Sequence, residues 1–579
     1  MKYILGISAY FHDSAAALLV DGKTVAAAQE ERFTRIKHDS SLPINAVHFC
    51  LNEAGITTED IGAIVFYEKP FQKFERIIDS NIKNIPKGFL AFNKAMRSWF
   101  SEKLWIPRNL QKGLNYKGQV YFTEHHESHA ASAFYPSPFE ESLVIVLDAV
   151  GEKSCTSVAI GKDSQIQPLI YQEYPHSLGM FYSAFTYYCG FKVNSGEYKL
   201  MGLAPYGTPK YVDLIKAHFI SISEEGSIQL TMENYDFDRG LKMLSRKGIA
   251  LLGKAKRKSE SKIDQFYMDI AASVQKVLEE AVAKVIRHAT TLHDTKNICL
   301  AGGVALNCVA NQKLTESFPN HTFWVQPAAG DAGGALGAAL AFYHRQNERQ
   351  NRTDSPVSQV YLGPSYNDQE IENTLIQFDA NFKCLDNDEF TTTVAEQLSN
   401  HKIVGWFQDK MEFGPRALGN RSILASPVPS DMKSRLNLAI KKREGFRPFA
   451  PVVLESEAPK WFEKISTSKY MLQTFDAKAG QKIPACVHND NTSRVQTVSK
   501  QDNQKLHSLL QEFQQKTGVP VLINTSFNLR GEPIVCSPED AINCFIHTDM
   551  DVLVLNNYVL MKEENKHVKP SKDVIRVLD

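Results

Sequence analysis

The chain opens on an apolar run from Tyr3 to Ala9, breaks at His12-Asp13-Ser14, resumes from Ala15 to Val20, and resumes again beyond Asp21-Gly22 as far as Gln29. Apolar runs of this length between turn residues read as strands, and Asp-Gly between two of them is a hairpin signal, because a tight hairpin turn needs positive φ. The pattern therefore predicts strand, loop, strand, tight turn, strand, with the meander ending at Glu30-Glu31-Arg32-Phe33. Pro43 to Ala54 reads as a helix and Ala63 to Phe66 as a short strand. His125 to Phe134 is Ala-rich, with neither Gly nor Pro before Pro136, and is predicted helical. Ser142 to Leu147 is a buried strand that delivers Asp148 to a sheet edge, and Ser157 to Ile160 is a further strand. A dense apolar helix follows from Ser177 to Tyr188. Lys262 to Leu292 carries a helical stripe at Ile263, Phe266, Ile270, Val274, Val277, Leu278 and Val282, which is core packing. Asn297 to Asn311 reads as strand, Gly-Gly turn and helix. His321 to Pro327 is a strand, and Ala329 onward a glycine-rich loop entering a small-residue helix. The polar stretch Tyr343 to Ser358 reads as a linker. Beyond it strands and helices alternate again, with a strand at Ile403 to Gln408, a stretch from Val519 to Glu532 that carries Asn524, Ser526 and Arg530, and a capping-box helix start at Ser537 that runs to His547. Pro86 to Leu110 mixes aromatic and basic residues at helical spacing, read as packing, and Ser221 to Ser261 is a charged, irregular insertion.

Composition narrows the class. A chain of 579 residues exceeds one core, so two or more domains are expected, and 43% hydrophobic with 22% charged residues is ordinary globular usage. Lys+Arg and Asp+Glu are both 65, and this zero net charge argues against nucleic acid or an anionic membrane as the main partner. No apolar run approaches a signal peptide or a membrane span. Nine scattered cysteines without a C-x-x-C pair fit reduced thiols in the cytoplasm.

Candidate chemistry gathers on this frame. On a helix, His125 and His129 stand one turn apart on one face, so both imidazoles can reach one metal ion. An isolated pair of this kind is more often a solvated helix start. Asp148 at a strand end and Asp331 at the apex of a Gly-rich turn complete a His2Asp2 set, whose mixed donors suit Fe(II) or Mn(II) at least as well as zinc. The Gly302-Gly303 turn and the one at Gly330 expose backbone N–H groups suited to phosphate or nucleotide. Lys199, in a Gly- and Pro-punctuated loop, could reach a phosphate, although a lone Lys is more often solvated. The loop carrying His12 and Asp13 sits between the first two strands and places polar groups at one end of the sheet. In the rear half, Arg416, Arg421, Lys441, Arg447, Arg494 and Arg530 lie beside Gly, Pro and Phe in loops, and arginine forks converging there would make an anion site.

Together these residues resemble the nodulation-type O-carbamoyltransferase family, which includes antibiotic- and toxin-tailoring enzymes. The likeness runs almost end to end, through His12-Asp13-Ser14, His125 to Ala130, Asp148 to Glu152, Ser195 to Gly207, Gly302 to Asn307, Gly330-Asp331, Gly414 to Gly419, Arg447 to Pro451, Arg494 to Thr497 and Asn524 to Asn528. The resemblance implies an α/β chain in two parts. The first, 1–345, is an actin/sugar-kinase-like (ASKHA) carbamoyl-transfer domain. A linker at 346–358 leads to 359–579, a YrdC-like domain that makes carbamoyl-adenylate from carbamoyl phosphate and ATP, with Mg. The carbamoyl group would then pass to a hydroxyl of a small-molecule acceptor, a natural product or sugar. By position, the resemblance puts iron-type metal ligands on His125, His129, Asp148 and Asp331. It puts nucleotide contacts around Lys199, Gly302, Gly303, Asn307 and Asn311. Carbamoyl-phosphate contacts fall on Arg416, Lys441, Arg447, Arg494, Asn524 and Ser526. His12, with Asp13, is the expected catalytic pair, His12 as general base, since imidazole titrates near neutral pH. One departure stands out: the family commonly has Asp-Gly where this chain has Asp148-Ala149, which would cost energy if that position needs positive φ. The acceptor is not legible, and oligomeric state is open, a homodimer among the options. The competing expectations are a small-molecule kinase of the same N-terminal fold and a tRNA-carbamoylation type of enzyme.

Overall fold

The computed structural model of the chain describes residues 1–85, 88–347, 360–440, 445, 447 and 449–571. It divides into two compact units, Met1–Glu31 with His38–Gln359, and Arg32–Lys37 with Val360–Asp579.

The expected opening meander is present as β1 (Tyr3–Ser8), β2 (Ala15–Val20) and β3 (Lys23–Gln29). Asp21 and Gly22 take φ of 49° and 80°, the left-handed pair that the tight turn requires. With β4 (Ala63–Phe66) and β5 (Val120–Phe122) these strands form a sheet in the order β3-β2-β1-β4-β5. β2 runs antiparallel to both β1 and β3, while β1, β4 and β5 run parallel to one another. The chain then repeats the plan. The strands β6 (Glu141–Leu147), β7 (Ser154–Lys162) and β8 (Gln165–Glu173) form a second antiparallel meander. A small hairpin, β9 (Ile220–Ile222) with β10 (Ile228–Leu230), falls inside the charged insertion. Two further strands, β11 (Asn297–Ala301) and β12 (Thr322–Val325), add in parallel beside β6. The second sheet reads β8-β7-β6-β11-β12, the same order and directions as the first. The N-terminal unit is thus a duplicated, sugar-kinase-like α/β fold, followed by a C-terminal α/β unit.

Duplication explains how distant stretches come to lie in equivalent places. The fifth strand of each copy leads into a helix, His125–Phe134 after β5 and Asp331–Gln346 after β12. The first hairpin loop of each copy carries a candidate acid, Asp13 between β1 and β2, and Asp148 between β6 and β7. The two helices pack directly on each other. Their contact is as close as backbone allows: a Cβ added at Gly337 would fall 1.7 Å from the Ser128 carbonyl oxygen. Gly337→Ala must therefore push the two helices apart. Overpacking of this kind typically costs about 1–3 kcal/mol, and a lowered urea midpoint is expected; a wild-type midpoint would show that the helices do not meet there.

Other expectations resolve locally. The Ser177 side chain caps the Leu178–Tyr188 helix. The long helix runs Gln265–Leu292 with Asp264 as its cap, and Ile270, Val274, Val277, Leu278 and Val282 are buried. Tyr343 to Gln346, read as the start of a linker, instead form the last turn of the Asp331–Gln346 helix, because Phe342, Tyr343 and His344 are buried and so extend its apolar face. The rest of that expected linker, 348–358, lies outside the described residues. The aromatics of 86–110 depart from expectation: Trp99 is buried, but Phe89, Phe100 and Trp105 are exposed. Helical spacing gave their periodicity and not which face meets a core. No helix among the described residues is long and apolar enough to cross a membrane.

The second unit is built on an eight-stranded mixed sheet. Five of its strands, ending at one edge, are Val404–Phe407, Arg421–Ala425, Val521–Ser526, Ala450–Leu454 and Gln496–Val498, in that order. The helices Asp368–Gln377, Gln504–Thr517 and Pro538–Ile546 contribute buried apolar residues to the same core, the last with the expected capping box of Ser537 and Asp540. The short segment Arg32–Lys37 belongs to this unit through its arginines. Arg35 donates to the Pro533 and Ile534 carbonyls at 2.8 and 2.7 Å, and Arg32 to the Gly414 carbonyl at 2.9 Å.

Candidate functional site

Each helix of the pair starts with a chemically active side chain because its N-terminus follows the carboxyl end of a parallel strand. On the first, Glu124 and Glu127 form a capping box, which fixes the entry turn and sets His125 and His129 on one inward face. On the second, Asp331 occupies the first turn. Asp148 follows β6, where its backbone N–H donates to the Cys155 carbonyl and its carbonyl accepts from the Ser177 hydroxyl at 3.1 Å. The Gly303 N–H donates to Asp148 Oδ1 at 3.1 Å, leaving Oδ2 turned to the histidines.

The four side chains converge. His125 Nε2 lies 3.1 Å from Asp148 Oδ2 and 3.2 Å from His129 Nε2. Asp331 Oδ1 stands 3.6 Å from His129 Nε2 and 3.8 Å from His125 Nε2. Their four donor atoms all fall within 4.8 Å of one another, and all four residues are buried. Burial alone would push the carboxyls up. Instead the His125 hydrogen bond and the neighbouring imidazoles hold Asp148 well below the usual carboxylate range. Burial likewise opposes ionisation of Asp331, but His12 and His129 hold it down. For His125, burial lowers the imidazole, but Asp148 and Asp331 outweigh it and raise it to about 9.

Two ionised carboxylates and two imidazoles that aim the same ring nitrogen inward are a donor set for a divalent cation. The residues present therefore fit the group that the resemblance implies. The outer contacts are unusual: Nδ1 of both His125 and His129 is buried without a hydrogen-bond partner. The rings are oriented by packing, His125 edge-on to Tyr67 at 5.3 Å, and by the backbone. Glu152 fixes that backbone, accepting from the His125 N–H at 3.0 Å and the Lys69 N–H at 2.7 Å. His126 is no part of the cluster. Its Nδ1 meets the Ser157 hydroxyl at 2.8 Å, and burial beside His125 pushes it down to about 3, keeping it neutral.

His12 faces the cluster from the other hairpin loop. Its Nε2 is 3.6 Å from Asp331 Oδ2 and its Nδ1 is 3.0 Å from Asp13 Oδ2. Burial lowers His12, but Asp331 and Asp13 overcome this and raise it to about 9. A cation compensating Asp331 would remove the largest of these raising charges.

The glycine turn lies beside Asp148. Gly302 has φ of 88°, and a Cβ there would fall 2.3 Å from the Leu147 carbonyl oxygen, so only glycine fits. Asn307 caps the following helix, with Oδ1 accepting from the Ala310 N–H at 3.0 Å. Asn311 donates to the Ala305 carbonyl at 2.8 Å. These two asparagines shape the turn. Lys199 is buried in the Glu197–Leu203 helix, its ammonium 6.0 Å from the Phe191 ring centroid. Ala149 is not among the residues of positive φ, so the departure from Asp-Gly carries no backbone strain.

In the second unit, topology gathers the other predicted residues. Asn524 pairs with both Leu424 and Ala450, Ser526 with Ser422, and Gln496 with Val452. The strands beginning at Arg421, Ala450 and Gln496 therefore all start where Val521–Ser526 ends. The loops leading into them carry Arg416, Arg447 and Arg494, so these three and Asn524 and Ser526 share one end of one sheet. Asn524 donates to Gln496 Oε1 at 2.7 Å, and Gln496 to the Leu418 carbonyl at 2.8 Å, tying that end together. Lys441 lies outside the described residues. Arg421 belongs to the scaffold. It is fully buried, and its guanidinium bonds the Gln408, Asp409 and Pro364 carbonyls and stacks 3.6 Å from the Phe407 ring centroid. Sequence reasoning passed over Glu152 as a backbone anchor, and His38, whose ring reaches Asp13; neither carries a spacing signal.

The family description "Carbamoyltransferase N-terminus" matches residues 3–340 and "Carbamoyltransferase C-terminus" residues 395–562. An uncharacterised protein of Synechocystis is 47% identical over 97% of each chain. Nodulation protein NolNO of Sinorhizobium fredii is 36% identical over 96% of this chain and 79% of its own. Nodulation protein U of Bradyrhizobium diazoefficiens is 28% identical over 92% of this chain and 93% of its own.

Proposed function

This chain belongs to the carbamoyltransferase family, and on that premise we propose that it is an ATP-dependent O-carbamoyltransferase working in two steps. By resemblance, the first unit is assigned transfer and the second activation. In activation, water hydrolyses carbamoyl phosphate to carbamate and phosphate, and a carbamate oxygen then attacks the α-phosphorus of ATP, breaking its bond to the pyrophosphate, which leaves. Arg416, Arg447 and Arg494, with Asn524 and Ser526, bind the anionic oxygens at the shared sheet end, as charge-assisted bonds favour. Lys441 is assigned to the same step by resemblance.

In transfer, the acceptor hydroxyl oxygen bonds to the carbonyl carbon of carbamoyl-adenylate, and the bond from that carbon to the phosphate oxygen of AMP breaks. AMP leaves with the electron pair. His12 takes the hydroxyl proton at Nε2, and Asp13 accepts from its Nδ1–H. The Gly302-Gly303 turn lets backbone approach the nucleotide phosphate, and Lys199 is assigned to the same nucleotide by resemblance. His125, His129, Asp148 and Asp331 would hold a divalent cation, Fe(II) in our reading with Mn(II) or zinc as alternatives. Such a cation supplies Lewis-acid neutralisation of phosphate and carbonyl oxygens.

The observation that carries this reading is the convergence of those four donors within reach of His12, an arrangement that a sugar kinase does not need. The test is mass spectrometry of reactions with carbamoyl phosphate, ATP, Mg and a panel of hydroxylated metabolites, with natural products and sugars included. A product in which one hydroxyl hydrogen is replaced by a carbamoyl group, with AMP and pyrophosphate, is expected. ADP release on adding a sugar without carbamoyl phosphate would favour the kinase instead.

A further inference from the structure

Behind His12 lies a second imidazole that the proposed reaction does not yet use. Asp13 accepts at both oxygens: Oδ2 is 3.0 Å from His12 Nδ1, and Oδ1 is 2.8 Å from His38 Nδ1. An ionised carboxylate only accepts, so both rings must carry their proton on Nδ1. That leaves Nε2 as the His12 ring nitrogen directed toward Asp331, 3.6 Å away. The arrangement is held under backbone strain. Asp13 and His38 have φ of 51° and 57°, the left-handed region, in two residues that are not glycine. Glu31, buried, anchors His38 from behind, its Oε2 accepting the His38 backbone N–H at 2.8 Å. The other ring nitrogen of His38, Nε2, is buried with no hydrogen-bond partner, so Nδ1 is where the ring makes its bond. Donor atoms of Asp13, Glu31 and His38 also lie within 4.8 Å of one another, but two of the three residues are already joined by the His38–Asp13 bond and the third serves the backbone.

We propose that His38 is a positioning residue for carbamoyl transfer, holding Asp13 so that His12 keeps its Nε2 free for the acceptor's proton. This rests on the reading of His12 as the base. With His38 in place, the Asp13 carboxylate is pinned at both ends. Without that donor it can rotate, and His12 loses its fixed tautomer and aim. A neighbouring carboxylate that orients a catalytic imidazole can matter by orders of magnitude; in the serine-protease triad a wrong tautomer costs about 10⁴-fold. A residue acting one bond further away should matter less.

The left-handed backbone at 38 recommends Asn and Asp as replacements, since both tolerate it and they have the same shape. Asn can donate to Asp13 Oδ1; Asp cannot, and it repels. His38→Asn is expected to keep kcat for transfer from supplied carbamoyl-adenylate within about 3-fold. His38→Asp is expected to lose about 10²-fold in kcat, within the range of general-base effects, at unchanged KM. In a His12→Ala background, His38→Asp should cost nothing more, because the relay no longer has an end. Equal kcat for the Asn and Asp variants, or a full further loss in the His12→Ala background, overturns the proposal. Undiminished transfer by His12→Ala alone overturns the reading of His12 instead, so the two failures are distinct. Restoration of the His38→Asp variant by added Mn(II) or Zn(II) would contradict positioning and assign the three residues to a second cation.

Discussion

Replacing His12 by alanine is expected to slow carbamoyl transfer by about 10²–10⁴-fold, the usual contribution of a positioned general base. Carbamoyl-phosphate-dependent release of pyrophosphate from ATP should continue at the wild-type rate. The separation follows from where the side chain sits. His12 lies in the first hairpin loop of the duplicated unit, with Nε2 3.6 Å from Asp331 and Nδ1 on Asp13, both residues of that unit. The measurement is a pair of assays on one preparation, pyrophosphate release and carbamoylated product from supplied carbamoyl-adenylate. Wild-type product formation would remove His12 from the chemistry. Loss of both activities would mean that the two steps are not divided as proposed.

The complementary substitution is Arg447→Ala. Arg447 is buried at the start of the Ala450–Leu454 strand, at the sheet end shared by Arg416, Arg494, Asn524 and Ser526. Removing one well-placed donor from an anion-stabilising site costs about 10²–10³-fold. Pyrophosphate release driven by carbamoyl phosphate should fall by that factor, while transfer from supplied carbamoyl-adenylate survives. Transfer lost together with activation, at an unchanged urea midpoint, would count against the division. A wild-type rate of activation would mean that the arginines at this sheet end do not handle the anion.

Much of this could be read from residues in order along the chain. Asp21-Gly22 announced its hairpin because turn chemistry is local. The four cluster residues were legible because His125 and His129 are a helical turn apart, and because Asp148 and Asp331 each sit where a strand meets a turn. The duplication was not legible. The two copies share strand order, while the insertion between β8 and β11 lengthens the second, so no sequence period survives. Arg421 shows a different limit. In sequence it is one more arginine in a basic loop, yet backbone carbonyls from Pro364 and Gln408 enclose it, and only tertiary contact could say so. The same holds for Phe89, Phe100 and Trp105, whose periodicity fitted a helix but whose exposure depended on what lay opposite. His38 gave no signal, since its bond to Asp13 closes a loop that only the fold creates.

One cation held by four side chains is central to the proposed transfer, and elemental analysis of the protein itself tests it most directly. The chain is purified without oxygen and compared with a His129→Gln variant, with circular dichroism confirming that both are folded. The prediction is about one tightly held divalent ion per chain, lost on chelation together with transfer and regained with it, and absent from the variant. A folded wild-type chain that transfers carbamoyl groups at full rate after complete removal of metal would contradict it, as would a variant that retains the ion in full.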